Sequence, residues 1–445
     1  MSKRHAKTSP SSSKSLPSRR DVLKTGAAGA LALGLGPFAF AKNLRQKDKI
    51  RFGVIGVGGK GWSGREAALP FGIVVALCDA DLSQVDKGSA EHPDAARFQD
   101  YRYMIERMQG KVDAVIVSTP DHNHAAASLL AMEAGMHVYC EKPLTRTIGE
   151  ARRLTEMARK TGLASQMGNQ GTALDDLRKT AAAIRRGAFG AAKEVHCWTD
   201  RSGGWWPQGV SRPMPEVQPE NVDWNVWLGP APVRHFAKGY HPFSWRGWWD
   251  FGSGALGDMG CHCMNLPFMA LDLIDPVAIS AETSGHNQDS YPSWSHVKYE
   301  FGQRGSRPPL TVHWYDGGKR PPQDLVPGRP FGGNGAVIVM ERATLYSDTE
   351  YGGNYQVVGG QMPEVEYEKS PGHMAEFARA ILGGPQAMSN IATYSGPLTE
   401  FVLLGNLAVW ASGRRLEWDA ASLKVKGTSE FDDLIRPTYR SGWSY

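Results

Sequence analysis

Between residues 49 and 168, short apolar runs alternate with segments whose apolar positions recur at helical spacing. The runs at 50–55, 73–78, 112–118, 137–140 and 163–167 are rich in Val, Ile and Ala. Continuous runs of this kind suit strands buried on both faces, so they predict a parallel sheet flanked by helices. Helices are expected over 125–134, ended by Gly135, and over 147–160, with Gly162 as the C-terminal stop. Past Gly168 the texture changes. A helix over 174–186 and a strand over 193–199 lead into a stretch dense in Trp, Pro and Gly, up to about residue 254. An apolar helix over 264–273 follows, then strands over 278–282, 295–301, 310–314 and 336–340, and helices over 373–382 and 397–412. The Pro/Gly-rich stretch 317–335 reads as a loop, either an active-site flap or an intersubunit arm. The fold class expected is α/β, a parallel-sheet domain over 42–168 followed by an α+β domain with a large, mostly antiparallel sheet over 169–445.

Residues 1–41 read as a twin-arginine signal peptide. Ser18, Arg19, Arg20, Asp21, Val22, Leu23 and Lys24 form the Ser-Arg-Arg-x-x-Leu-Lys pattern, and Ala39-Phe40-Ala41 offers a cleavage site. The segment changes the meaning of the formal net charge of +5, because residues 1–41 hold seven Lys or Arg and one Asp. The remainder is close to neutral, which removes the case for a nucleic-acid partner, since that needs a basic face. No later run approaches the ~20 apolar residues of a membrane span. The expected location is therefore periplasmic or otherwise exported, with the twin-arginine translocase as a transport partner and no stable membrane span in the mature form. Five scattered cysteines do not make a disulfide framework, and the adjacent ligands of Cys261-His262-Cys263 lack zinc spacing, so no metal is expected.

The chemistry begins at Gly56-x-Gly58-Gly59-x-Gly61, which follows the first strand and opens a helix. The first glycine allows a tight turn, the second a close approach to a pyrophosphate, and the third close packing of the helix. Asp79 ends the second strand about 20 residues on, where a carboxylate binds ribose hydroxyls. Together they identify a Rossmann domain. A carboxylate there with no adjacent Arg favours NAD, with NADP as the alternative. Thr119-Pro120-Asp121-His122-Asn123-His124 and Glu141-Lys142-Pro143 sit at the carboxyl ends of two further strands, the ligand-binding edge of such sheets. A Lys there can donate to a substrate hydroxyl or carbonyl; as a bare residue it also reads as a solvated surface Lys. Asp258 and His262 lie four apart, so on one helical face the carboxylate can orient the imidazole as a base for a hydroxyl proton. A capping Asp and a packed His are the other reading.

These motifs, in this order, resemble the Gfo/Idh/MocA oxidoreductases, a family that includes glucose–fructose oxidoreductase and inositol dehydrogenase. The resemblance implies a Rossmann domain followed by an α/β domain whose open sheet serves oligomerisation, hence a homo-oligomer, dimer or tetramer. It implies that Lys142 polarises the reacting oxygen, that His262 takes or gives the proton, and that Asp258 orients and tunes it. Gly56, Gly58, Gly59, Gly61, Asp79, Thr119, Pro120, His124, Glu141 and Asn169 would hold the cofactor, with His124 and Glu141 on the nicotinamide side. Gln170, Trp245 and Arg246 would meet the substrate. The Trp-rich insertion (Trp205, Trp206, Trp224, Trp227, Trp245, Trp248, Trp249) departs from a simple inositol dehydrogenase. Its rings read either as a sugar-stacking wall or as ordinary packing. The expected activity is hydride transfer between a sugar or polyol carbinol carbon and a tightly held nicotinamide cofactor, recycled in place because free dinucleotide is scarce outside the cytoplasm. The alternative is redox-neutral glycoside hydrolysis by transient oxidation, elimination and water addition.

Overall fold

The structure, a computed structural model, describes residues 49–202 and 204–443; the leader expected over 1–41 lies outside them. Strands β1 (Ile50–Ile55), β2 (Gly72–Cys78), β3 (Ala96–Phe98), β4 (Ala114–Val117), β5 (His137–Cys140) and β6 (Ser165–Met167) form a sheet in the order β3-β2-β1-β4-β5-β6. Every pair in it is parallel. Strand order reverses between β1 and β4, which opens a crevice beyond their carboxyl ends.

Helices α1 (Lys60–Ala68), α2 (Leu82–Glu91), α3 (Tyr101–Met108), α4 (Asp121–Glu133) and α5 (Ile148–Thr161) join these strands. Met104 of α3 and Leu129 of α4 pack with Val115 and Val117 on one face. α5 starts with a reciprocal cap between Thr147 and Glu150 and stops where Gly162 turns left-handed at φ 64. α4 begins four residues before the expected start. Pro120 leads into it and Asp121 puts a carboxylate in its first turn, where the helix dipole favours negative charge. The polar Asp-His-Asn-His run is thus helix, and His122 is buried, its ring nitrogens 3.1 Å from the Phe251 carbonyl and 2.8 Å from the Trp227 carbonyl.

The second half contributes α6 (Asp175–Arg185), β7 (Ala192–Thr199), α7 (Trp224–Leu228), α8 (Gly254–Cys263) and α9 (Asn265–Leu271). It continues with β8 (Ala278–Thr283), β9 (Ser295–Phe301), β10 (Leu310–Tyr315), β11 (Asn334–Met340), β12 (Thr344–Ser347) and β13 (Gln356–Val358). Helices α10 (His373–Ile381) and α11 (Gly396–Trp410) and strands β14 (Arg415–Asp419) and β15 (Lys424–Val425) follow. The nine strands run β13-β12-β11-β7-β10-β9-β8-β14-β15. Only β7 and β10 pair in parallel; the other neighbours are antiparallel. Along β9 the alternation is strict, with Val297, Tyr299 and Phe301 buried and His296, Lys298 and Glu300 facing out.

The Gly-rich stretch before residue 264 is helix α8, which carries Asp258 and His262 one turn apart, and α9 follows directly. Of the two readings of the Trp-rich insertion, Trp224 and Trp248 take the packing one, with Phe236, Tyr240 and Phe251 in a small core; Trp227 belongs to that core and also lines the cavity over the β1–α1 turn. In the 317–335 loop, Val326 is buried against Trp198, Tyr315, Val337 and Tyr346 of this chain. In addition, α10 returns to the first sheet, placing Met374, Phe377 and Ile381 against Ile50, Phe52, Ile116 and Tyr139. Among the described residues no helix is long and apolar enough to cross a membrane.

Candidate active site

The β1–α1 turn lies at the switch point. At Gly56 φ is +83°, and a Cβ there would stand 2.6 Å from the Ser118 carbonyl oxygen. A Cβ on Gly61 would stand 1.7 Å from the Gly56 carbonyl oxygen, so both positions must be glycine for α1 to start against β1. Asp79 secures the turn from the end of β2. Its carboxylate accepts from the Val57 N–H (2.8 Å) and the Asp81 N–H (3.0 Å), and burial pushes its pKa up to about 6.

A cavity of about 480 Å³ opens over this turn. Gly56, Gly58, Gly59 and Asp79 line one part of it; Thr119, Pro120, His124, Glu141 and Lys142 line another. Trp245 and Arg246 close it from the second lobe. Glu141 Oε2 is buried without a partner, and burial raises this carboxyl's pKa. The glycine cradle, the acid at the end of β2 and this unpartnered carboxylate at the far wall fit a dinucleotide. Two other residues assigned to the cofactor stand differently. His124 forms part of the wall, but its Nδ1 is 2.8 Å from the Pro143 carbonyl and its Nε2 2.7 Å from the Thr119 carbonyl. Both nitrogens are turned to backbone carbonyls, and burial lowers the ring's pKa to about 4, so as a neutral ring it donates to only one of the two. Asn169 is fully buried off the cavity wall; its Oδ1 accepts from Ser389, and its Nδ2 has no partner. Gln170 is also off the wall, its amide bridging the Gly168 carbonyl and Lys60 Nζ at 2.9 Å each.

The expectation that Asp258 orients His262 is corrected. Asp258 Oδ1 accepts from Lys142 Nζ at 2.8 Å, and Lys142 also donates to the Asp258 carbonyl at 2.8 Å. Asp258 Oδ2 accepts from Arg201 at 3.2 Å, and Arg246 Nε lies 3.5 Å from Oδ1. The carboxylate thus serves three cations. Burial opposes its ionisation, but Lys142, Arg246 and Arg201 outweigh burial and hold it well below the usual carboxylate range. One helical turn on, His262 is buried with Nδ1 unpartnered, its ring 4.8 Å from that of Tyr351 and edge-on to it. Burial, then the nearby Lys142, hold its pKa well below that of a free imidazole, with Asp258 pulling the other way, so it is a neutral ring. Neither Asp258 nor His262 is on the cavity wall; Asp258 pairs with Lys142, which is, and His262 packs against Tyr351.

Sequence reading missed Arg201, Glu350 and Tyr351. They follow β7 and β12 and reach the site only through the second sheet, with no local spacing to mark them. Asp121 was read only as part of its segment. It is buried, accepts from Ser253 Oγ at 2.5 Å, and lies on the cavity wall.

Comparison with known proteins adds the family. Residues 50–169 match the Gfo/Idh/MocA oxidoreductase-family NAD-binding Rossmann fold, and residues 177–307 match that family's C-terminal alpha/beta domain. A glycosyl hydrolase family 109 protein of Solibacter usitatus is 32% identical over 163 residues, 32% of this chain and 37% of its own length. The D-glucoside 3-dehydrogenase of Escherichia coli is 38% identical over 89 residues, 20% of this chain and 25% of its own. These curated relatives are thus matched over well under half of their length. The WlbA dehydrogenase of Bordetella pertussis, solved with NADH and UDP-GlcNAcA, shares the fold at TM-score 0.58 and 17% identity, over 83% of this chain and 99% of that one.

Proposed function

Because this chain belongs to the Gfo/Idh/MocA oxidoreductases, with their NAD-binding Rossmann fold and their C-terminal domain, we propose that it interconverts a sugar or polyol alcohol and its carbonyl form, using a tightly held NAD. The observation that carries the reading is Lys142. Its side chain stands on the wall of the cavity that the glycine turn and Asp79 also line, and Asp258 fixes its ammonium within one helical turn of His262. When bound, the dinucleotide supplies a hydride acceptor. The residues supply the rest: Lys142 donates to the reacting oxygen, and the unpartnered Nδ1 of His262 is the proton's acceptor. Asp258 positions Lys142 through its carboxylate and its backbone carbonyl. NAD is favoured over NADP because Asp79, at the end of β2 on the cavity wall, is a carboxylate and would repel a 2′-phosphate.

Denaturing protein purified without added cofactor tests this directly. NAD or NADH is expected in the supernatant by mass and absorbance, and Lys142→Met should lower kcat by ~10²-fold or more while retaining the nucleotide. A protein that neither releases nor binds a nicotinamide nucleotide would falsify the reading.

Export and assembly belong to the same proposal. The Ser18–Lys24 pattern supports twin-arginine transport to the periplasm, and lysine at both Arg19 and Arg20 should leave the protein in the cytoplasmic fraction. A homo-oligomer is expected by light scattering. The local similarity to a glycosyl hydrolase family 109 protein favours one second reading, redox-neutral glycoside hydrolysis. Release of free aglycone from a glycoside, with no added acceptor, would select it.

A further inference from the structure

Asp258 is one buried carboxylate shared by three cations, of which Lys142 and Arg246 also act on Asp121 and Glu141. Lys142 suffices for the reacting oxygen. Arg201 and Arg246 are additional, and both lie over aromatic rings: Arg201 over Trp205 at 4.2 Å, Arg246 over Trp245 at 4.2 Å and Phe243 at 4.4 Å. Stacking of this kind fixes a guanidinium fork in place before a ligand arrives. Arg246 makes one hydrogen bond, to the Phe243 carbonyl at 3.0 Å, and faces the cavity. Arg201 has a second partner besides Asp258, the carboxylate of Glu350.

Glu350 comes from a closed turn after β12. Thr349 Oγ1 donates to the Gly353 carbonyl and accepts from the Gly353 N–H, each at 2.9 Å, so the tip between them is carried as one piece. Tyr351, next in the chain, covers His262, which is 1% exposed. The tip is seated closely: a Cβ on Gly171 would lie 2.2 Å from the Tyr351 carbonyl oxygen. Tyr351 packs on His262, and Tyr351 is tethered through its neighbour to Arg201.

On the oxidoreductase reading above, we infer that the substrate is a sugar acid, whose carboxylate displaces Glu350 from Arg201, seats between Arg201 and Arg246, and so frees the 349–353 turn from His262. Glu350 is the chain's own stand-in for that carboxylate. A carboxylate rather than a phosphate ester is indicated, because the group Arg201 already holds is a carboxylate.

The test is calorimetric titration of the full-length protein, as purified and after loading with NAD, with three pairs at matched ionic strength: glucose and glucuronate, galactose and galacturonate, mannose and mannuronate. Glucose 6-phosphate is a fourth arm. In at least one pair the acid should bind about tenfold or more tightly than the neutral sugar, the worth of a charge-assisted hydrogen bond. Glu350→Gln should tighten that acid further, about threefold or more, by removing the internal competitor. Equal or tighter binding of every neutral sugar overturns the inference. So does a preference for the phosphate ester, or an unchanged uronate affinity in Glu350→Gln. Loss of nicotinamide binding would sink the oxidoreductase reading separately, because the sugar affinities are also read on protein without added NAD.

Discussion

Asp121 lies where burial and charge pull in opposite directions. Burial raises its pKa to about 7, against the hydrogen bond from Ser253 and the cations Arg246 and Lys142; Asp258 adds to the rise. The unfolded chain releases this proton near the ordinary value of 3.8, whereas the folded chain keeps it to about 7. Between those two pH values the native state binds the extra proton, so stability falls as pH rises through the window, by up to ~1.4 kcal/mol per unit. Asp121→Asn removes that titration. Urea unfolding at pH 5 and pH 8 should show a loss of stability in the native protein about 2–3 kcal/mol larger than in the variant. Equal losses in the two proteins would show that Asp121 is already ionised at pH 5. At this scale the sequence disclosed what is contiguous. Lys142 and the glycines stand in short motifs with fixed geometry, so their places were readable. The partner of Asp258 was not: residues four apart on a helix share a face, but which one the carboxylate serves was decided by Lys142, 116 positions away.

At the scale of elements, the dinucleotide cradle is a contact between backbones. α1 starts against β1 only while no side chain separates Gly61 from the Gly56 carbonyl. Gly61→Ala forces 1.7 Å apart to a van der Waals distance, with a backbone carbonyl as the obstacle instead of a flexible side chain. Overpacking of this sort costs ~1–3 kcal/mol, and the turn that moves is the one lining the cavity. NAD affinity is therefore expected to fall more than tenfold, with a lower Tm, by titration of apoprotein and thermal unfolding. Unaltered affinity would mean that the nucleotide does not lie over this turn. Long apolar strands of the first sheet were legible to within two or three residues. β3, with three residues, and the largely polar α2 were not, because neither carries enough apolar repeat to stand out. The short strands β12 to β15 escaped for the same reason.

Over the whole molecule, the two sheets are less separate than the chain order suggests. The outer face of β1, β4 and β5 is completed by α10, more than 200 residues downstream of β6. Phe377 is fully buried there, its ring 5.9 Å from that of Tyr139, and the helix start is tied to β6 by the Gln166 amide (2.8 Å to the His373 carbonyl) and by His373 Nε2 (2.9 Å from the Met167 carbonyl). A buried ion pair, Arg178 to Glu376 at 2.6 Å, anchors the same helix to α6. No local pattern announces such a return; the helical period of 373–382 shows an apolar face but not what it covers. The consequence is energetic coupling between the late chain and the nucleotide fold. Phe377→Ala should cost ~3–5 kcal/mol, the usual range for truncating a buried aromatic ring. The loss should appear first as faster amide exchange in β1 and β4, and in weaker NAD binding, even though Phe377 is not on the cavity wall. If exchange accelerates only in the second sheet, or NAD affinity holds while Tm falls, α10 covers the first sheet without supporting its ligand edge.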